Sequence, residues 1–201
     1  MDKIIGLGNA LIDVLATLKD DTLLDELGLP KGSMQLIDDA KLQQINTKFS
    51  QMKTHLATGG SAGNAILGLA CLGAGTGFIG KVGNDNYGEF FRKNLQNNNI
   101  EDNLLTSEQL PSGVASTFIS QDGERTFGTY LGAAASLKAE DLTLEMFKGY
   151  AYLFIEGYLV QDHEMILHAI ELAKEAGLQI CLDMASYNIV ENDLEFFSLL
   201  I

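Results

Sequence analysis

The chain has little of what would place it in several broad classes. It holds no tryptophan, two prolines, two cysteines and three histidines among 201 residues. Two cysteines as distant as Cys71 and Cys181, each inside an apolar run, do not make a disulfide framework. They read as buried thiols in a reducing compartment. No cluster of His and Cys has metal-ligand spacing. Cations are scarce: 13 Lys and Arg stand against 27 Asp and Glu, a formal charge of −14. That balance repels a nucleic-acid backbone and an anionic membrane surface at long range, so neither is an expected partner. No run approaches the ~20 apolar residues of a spanning helix, and the N-terminus has no cationic region followed by a cleavable apolar stretch. The expected setting is soluble and cytoplasmic. Linkers rich in Pro, Gly or Ser, low-complexity tracts and internal repeats are absent too, which leaves a single α/β domain over residues 1–201 as the economical reading.

What is present alternates. Lys3 to Asn9 reads as a short apolar strand, and extended character resumes at Asp13 to Thr17. A further short strand fits Gly32 to Asp38. Asp38 or Asp39 then caps a polar helix reaching about Met52, with Leu42, Ile45 and Phe49 on one face. Thr58 to Asn64 opens a helix that Gly73 stops near Leu72, and its small and apolar residues predict burial on most sides. A strand at Gly77 to Val82 follows, then an amphipathic helix capped by Asp85 and running to about Leu95. Val114 to Gln121 and Glu124 to Leu131 flank Asp122-Gly123, a strong hairpin signal that interrupts the alternation as a lid or insertion would. From Ala151 the alternation resumes: a strand at Tyr152 to Ile155, a helix from Asp162 to Ala176 closed by Gly177, a strand at Gln179 to Leu182 and a last helix. Strands alternating with helices imply a mostly parallel sheet covered on both faces, with ligands beyond the carboxyl ends of its strands. Asn9, Gly59-Gly60, Glu156 and Asp183 all fall at such ends.

Three glycine-rich stretches need separating. Gly6-Leu7-Gly8 begins like a dinucleotide fingerprint, but Leu11 stands where its third glycine belongs. Gly73 to Gly77 follows a helix and precedes a strand, the reverse of a phosphate-cradling loop, and reads as a tight turn. Gly59-Gly60-Ser61-Ala62-Gly63-Asn64 precedes a helix. It reads either as a tight turn into that helix or as a hinge where backbone N–H groups and Asn64 meet a polar ligand.

With Gly68, Gly73 and the run Gly80-Lys81-Val82-Gly83-Asn84-Asp85 to Gly88, this stretch resembles the first signature of the ribokinase-like (PfkB-type) kinases, a family that includes ribokinase, fructokinase and adenosine kinase. The similarity covers Ile4 to about Val190. Gly8-Asn9 with Asp13 is similar to the opening of adenosine-kinase-like members, and Asp122 to Thr126 resembles the family's lid hairpin. The resemblance implies a three-layer α/β/α sandwich with a small β lid, its segments at about 12–38 and 112–131. It also implies transfer of a phosphoryl group from Mg-ATP to a sugar or nucleoside hydroxyl. Asp13 and Asn9 would orient the acceptor, since an ionised carboxylate can accept from two neighbouring hydroxyls. Gly59-Gly60 would be the lid hinge and Asn64 a substrate contact. Arg125 would reach a substrate anion or the transferring phosphate, unless it is simply an exposed strand arginine. Glu156 would stand near the substrate, and Asp183 near the nucleotide or Mg²⁺.

Family members continue past the segment matched here, to a stretch that organises Mg²⁺ and then a Gly-Ala-Gly-Asp helix start carrying the anion hole and catalytic base. No Gly-Ala-Gly-Asp occurs in this sequence, so no catalytic residue is expected in the chain. It reads as C-terminally truncated, with the apolar tail Phe196 to Ile201 leaving exposed surface and marginal stability or self-association. Two further readings remain: a non-catalytic sugar- or nucleoside-binding fragment or pseudoenzyme, and a dimerisation module pairing two copies through the lid sheet.

Overall fold

The computed structural model describes residues 2–200. The chain begins with β1 (Ile4–Leu7), crosses at Gly8 to Ala10 into β2 (Leu11–Thr17), and continues through α1 (Thr22–Leu27), β3 (Met34–Leu36), α2 (Asp39–Phe49) and β4 (Thr54–Gly59). It crosses back at Gly60 into α3 (Ser61–Cys71), β5 (Thr76–Gly83), α4 (Asn86–Asn97) and β6 (Ile100–Ser107). The hairpin β7 (Gly113–Ile119) and β8 (Arg125–Tyr130) follows, with Gly123 at φ +85° in its turn. After short 3₁₀ turns come β9 (Tyr152–Ile155), a 3₁₀ turn at Gly157–Gln161, α5 (His163–Glu175), β10 (Gln179–Leu182), α6 (Tyr187–Asn192) and α7 (Leu194–Leu200). None of the described helices is long and apolar enough to cross a membrane.

These strands form two five-stranded sheets. The first, in the order β10-β9-β1-β5-β6, is parallel throughout. Alternation along β1 explains its two covered faces. Ile5 and Leu7 pack with Leu153, Ile155, Met165, Ile166 and Ala169, while Gly6 lies under Ile66 of α3, where a Cβ would meet the Ile66 side chain at 2.5 Å. This is the α/β/α sandwich that the pattern implied. The second sheet, β3-β8-β7-β2-β4, is mixed: β2 runs parallel to β7 and antiparallel to β4. One of its faces buries Ile12, Val14, Ala16 and Phe118 under α1 and α2, with the Phe49 and Phe118 rings 5.0 Å apart. Register puts Asp13, Leu15, Ala57, Ala115, Thr117, Phe127 and Thr129 on the other face.

Two expectations need correction. Cys71 and Cys181 are both exposed, since apolar neighbours in sequence do not fix which face of an element a residue occupies. In α3 only Ala62 and Ile66 are buried, because the helix lies on β1 and β5 along one side alone. The tail divides: Phe196 and Phe197 insert into the core beside α5, whereas Leu199 is exposed.

Asp85 shows how the glycine-rich signature builds structure. Its Oδ1 accepts from the Gly88 N–H at 2.8 Å and from Ser112 Oγ at 2.7 Å, and its Oδ2 accepts from the Ser112 N–H at 2.7 Å. It therefore caps α4 and pins the entry to β7 together. Burial acts to raise its carboxyl pKa, but the Ser112 and Gly88 hydrogen bonds win and hold it below the usual range. Asp85→Ala should cost about 2–3 kcal/mol in chemical denaturation, the sum of a lost cap and an orphaned backbone donor.

Candidate functional site

The candidate site lies where the chain passes between the two sheets. Both crossings meet there, β1 to β2 through Asn9 and β4 to α3 through Gly59-Gly60, close to the carboxyl ends of β1, β9 and β10. Antiparallel pairing aligns Asp13 with Ala57 and Leu11 with Gly59. The Asp13 carboxylate lies against Gly59 so closely that a Cβ there would stand 2.3 Å from Oδ1. Asp13 and Gly59, distant in sequence, are thus in contact. Partial burial pushes the Asp13 carboxyl up to about 6, with the Arg125 guanidinium pulling the other way.

Asn9, Glu156 and the first turn of α3 form the buried floor. Asn9 Nδ2 donates to Glu156 Oε1 at 2.7 Å, and the Ala62 N–H donates to Glu156 Oε2 at 3.1 Å. Glu156 is 2 % exposed. Burial raises its carboxyl pKa against the opposing effect of these hydrogen bonds. Gly60 has φ +87° and presses on the Asn9 carbonyl, with room for no side chain. Beside this floor Ser61 Oγ donates to Asp183 Oδ2 at 2.5 Å, and the Ala185 N–H to Asp183 Oδ1 at 3.0 Å.

Two expected residues stand further out. Asn64 is exposed on the first turn of α3. Arg125 opens β8 on the Asp13 face, paired across Ile119 with Thr17, its guanidinium carbon 5.8 Å from the centre of the Phe127 ring. No group of three or more His, Cys, Asp or Glu among the described residues could hold a metal ion.

A cavity of about 240 Å³ opens beside Asn9, lined by apolar Leu131, Ala134, Leu137 and Met165, by Tyr158, and by polar Lys138, Gln161 and Asp162 among others. Sequence reasoning missed these residues. Tyr158 sits in the 3₁₀ turn after β9, which carries no periodic signal.

Residues 32–194 match the pfkB family carbohydrate kinase. Among proteins of known function, the chain is similar to guanosine-inosine kinase of Escherichia coli, at 27% identity over 94% of this chain and 46% of that protein. It is also similar to fructokinase-1 of Zea mays, at 31% identity over 63% and 41% of the two chains. Among solved structures, adenosine kinase from Sinorhizobium meliloti superposes with TM-score 0.84 at 30% identity, covering 99% of this chain and 61% of that one. Apo adenosine kinase of Trypanosoma brucei brucei, 20% identical with TM-score 0.87, shows the same fold. The chain spans about half the length of the curated relatives it matches.

Proposed function

Because the chain belongs to the pfkB family of carbohydrate kinases, we propose that it supplies the acceptor-binding half of an ATP-dependent kinase acting on a sugar or nucleoside hydroxyl. The observation that carries this reading is the convergence of the Asp13 carboxylate, Gly59-Gly60 and Asn9 at the two crossings between the sheets. A partly buried carboxylate backed by glycine backbone suits a pair of neighbouring hydroxyls, which donate to it at close range. Asn9 and Asn64 would add polar contacts, Gly59-Gly60 would carry the movement of the second sheet as a lid, and Arg125 would meet an anion arriving over that sheet. The lid would comprise the segments near 12–38 and 112–131 together with β4.

Mg-ATP is the donor expected of the family. The described residues offer it Asp183 and no metal cluster, a poor fit for a complete Mg²⁺ and nucleotide site, so no phosphoryl-transfer step is assigned to them. The cavity beside Asn9 suits a nucleoside: Leu131, Leu137, Met165 and the Tyr158 ring match the faces of a flat base, while Asn9, Lys138, Gln161 and Asp162 offer hydrogen bonds to its polar edge.

Calorimetry with adenosine, guanosine, ribose and fructose tests this. Nucleosides should bind at least about tenfold more tightly than ribose, from burial of the base. Equal affinities would remove the nucleoside preference, and an absence of saturable binding to all four would sink the proposal. Saturable binding without ATP turnover would favour the binding-fragment reading.

A further inference from the structure

We infer that Glu156 is a positioning residue for the acceptor site: its carboxylate fastens both chain crossings between the two sheets to the end of β9 and so fixes where Asp13 stands. This rests on the acceptor-site reading above and departs from the expectation that Glu156 touches substrate. Each oxygen accepts a bond within the fold, Oε1 from Asn9 Nδ2 at 2.7 Å and Oε2 from the Ala62 N–H at 3.1 Å. With the residue 2 % exposed, burial leaves a substrate hydroxyl no open approach to it.

The contacts are distributed as a fastening requires. Asn9 lies in the crossing from β1 to β2, four residues before Asp13; Ala62 lies in the first turn of α3, two residues beyond Gly60, where the chain crosses from β4. Gly8 makes room for the side chain: a Cβ there would stand 2.6 Å from Glu156 Oε2 and 2.7 Å from the Ala62 methyl. The base of the residue is itself held, its N–H donating to the Leu7 carbonyl at 2.9 Å. The Asp13 carboxylate rests on Gly59, so each side of that contact is tied to Glu156 through the next few residues of backbone.

The test uses the whole chain and exploits the donor pattern. In Glu156→Leu neither Asn9 Nδ2 nor the Ala62 N–H finds an acceptor at position 156. Glu156→Gln keeps the fastening without the charge: its carbonyl still accepts from Ala62, and its NH₂ donates to Asn9 Oδ1 once the Asn9 amide turns over. E156L should raise amide hydrogen exchange at residues 9–12 and 59–62 at least about tenfold and weaken adenosine binding by a similar factor. E156Q should keep most of both, which loss of a charged ligand contact would not allow. The inference fails if E156L loses affinity with exchange unchanged, if exchange is unaltered altogether, or if E156Q behaves like E156L. Should E156L not fold, a folded E156Q protein with near-normal exchange and affinity supports the inference, and one that has lost affinity with normal exchange overturns it. If the unaltered chain binds no adenosine, the acceptor-site reading falls, while hydrogen exchange still decides whether the fastening exists.

Discussion

Replacing Asp13 with Asn is expected to weaken nucleoside binding by on the order of 10²–10³-fold while making the protein more stable at neutral pH. The binding loss follows from what the carboxylate would do. Two hydroxyl donors on an ionised acceptor contribute about 1.5–3 kcal/mol each, and an amide can accept one of them while presenting its own donor to the other. The stability gain follows from the environment. Burial pushes this carboxyl from the ordinary 3.8 to about 6, only partly opposed by Arg125, so the folded protein holds the proton more tightly than the unfolded chain. Below about pH 3.8 both states are protonated and the group costs nothing. As pH rises through the window to about 6, stability falls, and above it the full penalty of about 2–3 kcal/mol is in place. An uncharged amide at position 13 carries no such penalty, so D13N should unfold at higher denaturant concentration than the unaltered protein at pH 7.5, with the difference vanishing near pH 4. Affinity of the unaltered protein should rise toward pH 6 and then level off, as ionisation creates the acceptor. Calorimetry and urea unfolding at pH 4 to 8 read both. A D13N protein that binds normally, or is no more stable at pH 7.5, contradicts the proposed role.

The elements that were legible in the sequence are those whose burial is one-sided and whose ends are chemically marked. In α2 the Asp38 side chain accepts from the Lys41 N–H at 2.8 Å, and Leu42, Ile45 and Phe49 are the buried residues, as their spacing indicates. The Asp122-Gly123 turn and the Gly177 stop after α5 carry the positive φ that glycine tolerates. Two strands left no such trace. In β4 the sequence Thr-His-Leu-Ala-Thr-Gly is mostly exposed at a sheet edge and owes its conformation to pairing with β2. In β6 only Ile100 and Leu104 are buried, again at an edge. An edge strand buries too little for alternation to announce it. The site divides similarly. Resemblance to a family named Asp13, Gly59 and Gly60, but their contact depends on β4 folding back along β2, and β4 was the strand that periodicity could not reveal. The partners of Glu156 lie on two other segments, so no local pattern encodes them.

Gly59 and Gly60 are adjacent, yet an alanine at each should fail in a different way. At position 60 the backbone has φ +87°, a region that L residues rarely occupy, and the added methyl would stand 2.2 Å from the Asn9 carbonyl oxygen. Neither strain can be relieved by a side-chain rotation, because the obstacle is backbone whose side chain is bonded to Glu156. Strain and displacement together put the cost of Gly60→Ala at about 3–5 kcal/mol, enough to unfold a marginally stable chain. At position 59 no positive φ is imposed, and the methyl would meet the Asp13 carboxylate at 2.3 Å. A side chain can turn away where a carbonyl cannot, so Gly59→Ala should fold with a loss of about 1–2 kcal/mol. It should still lose nucleoside affinity by on the order of 10²-fold, because the carboxylate no longer stands where the hydroxyls arrive. Thermal unfolding and calorimetry on the two variants separate the effects. Equal destabilisation by both would show that Asp13 is as immobile as backbone, and a G59A protein with normal affinity would mean that the Asp13–Gly59 contact does not shape the acceptor site.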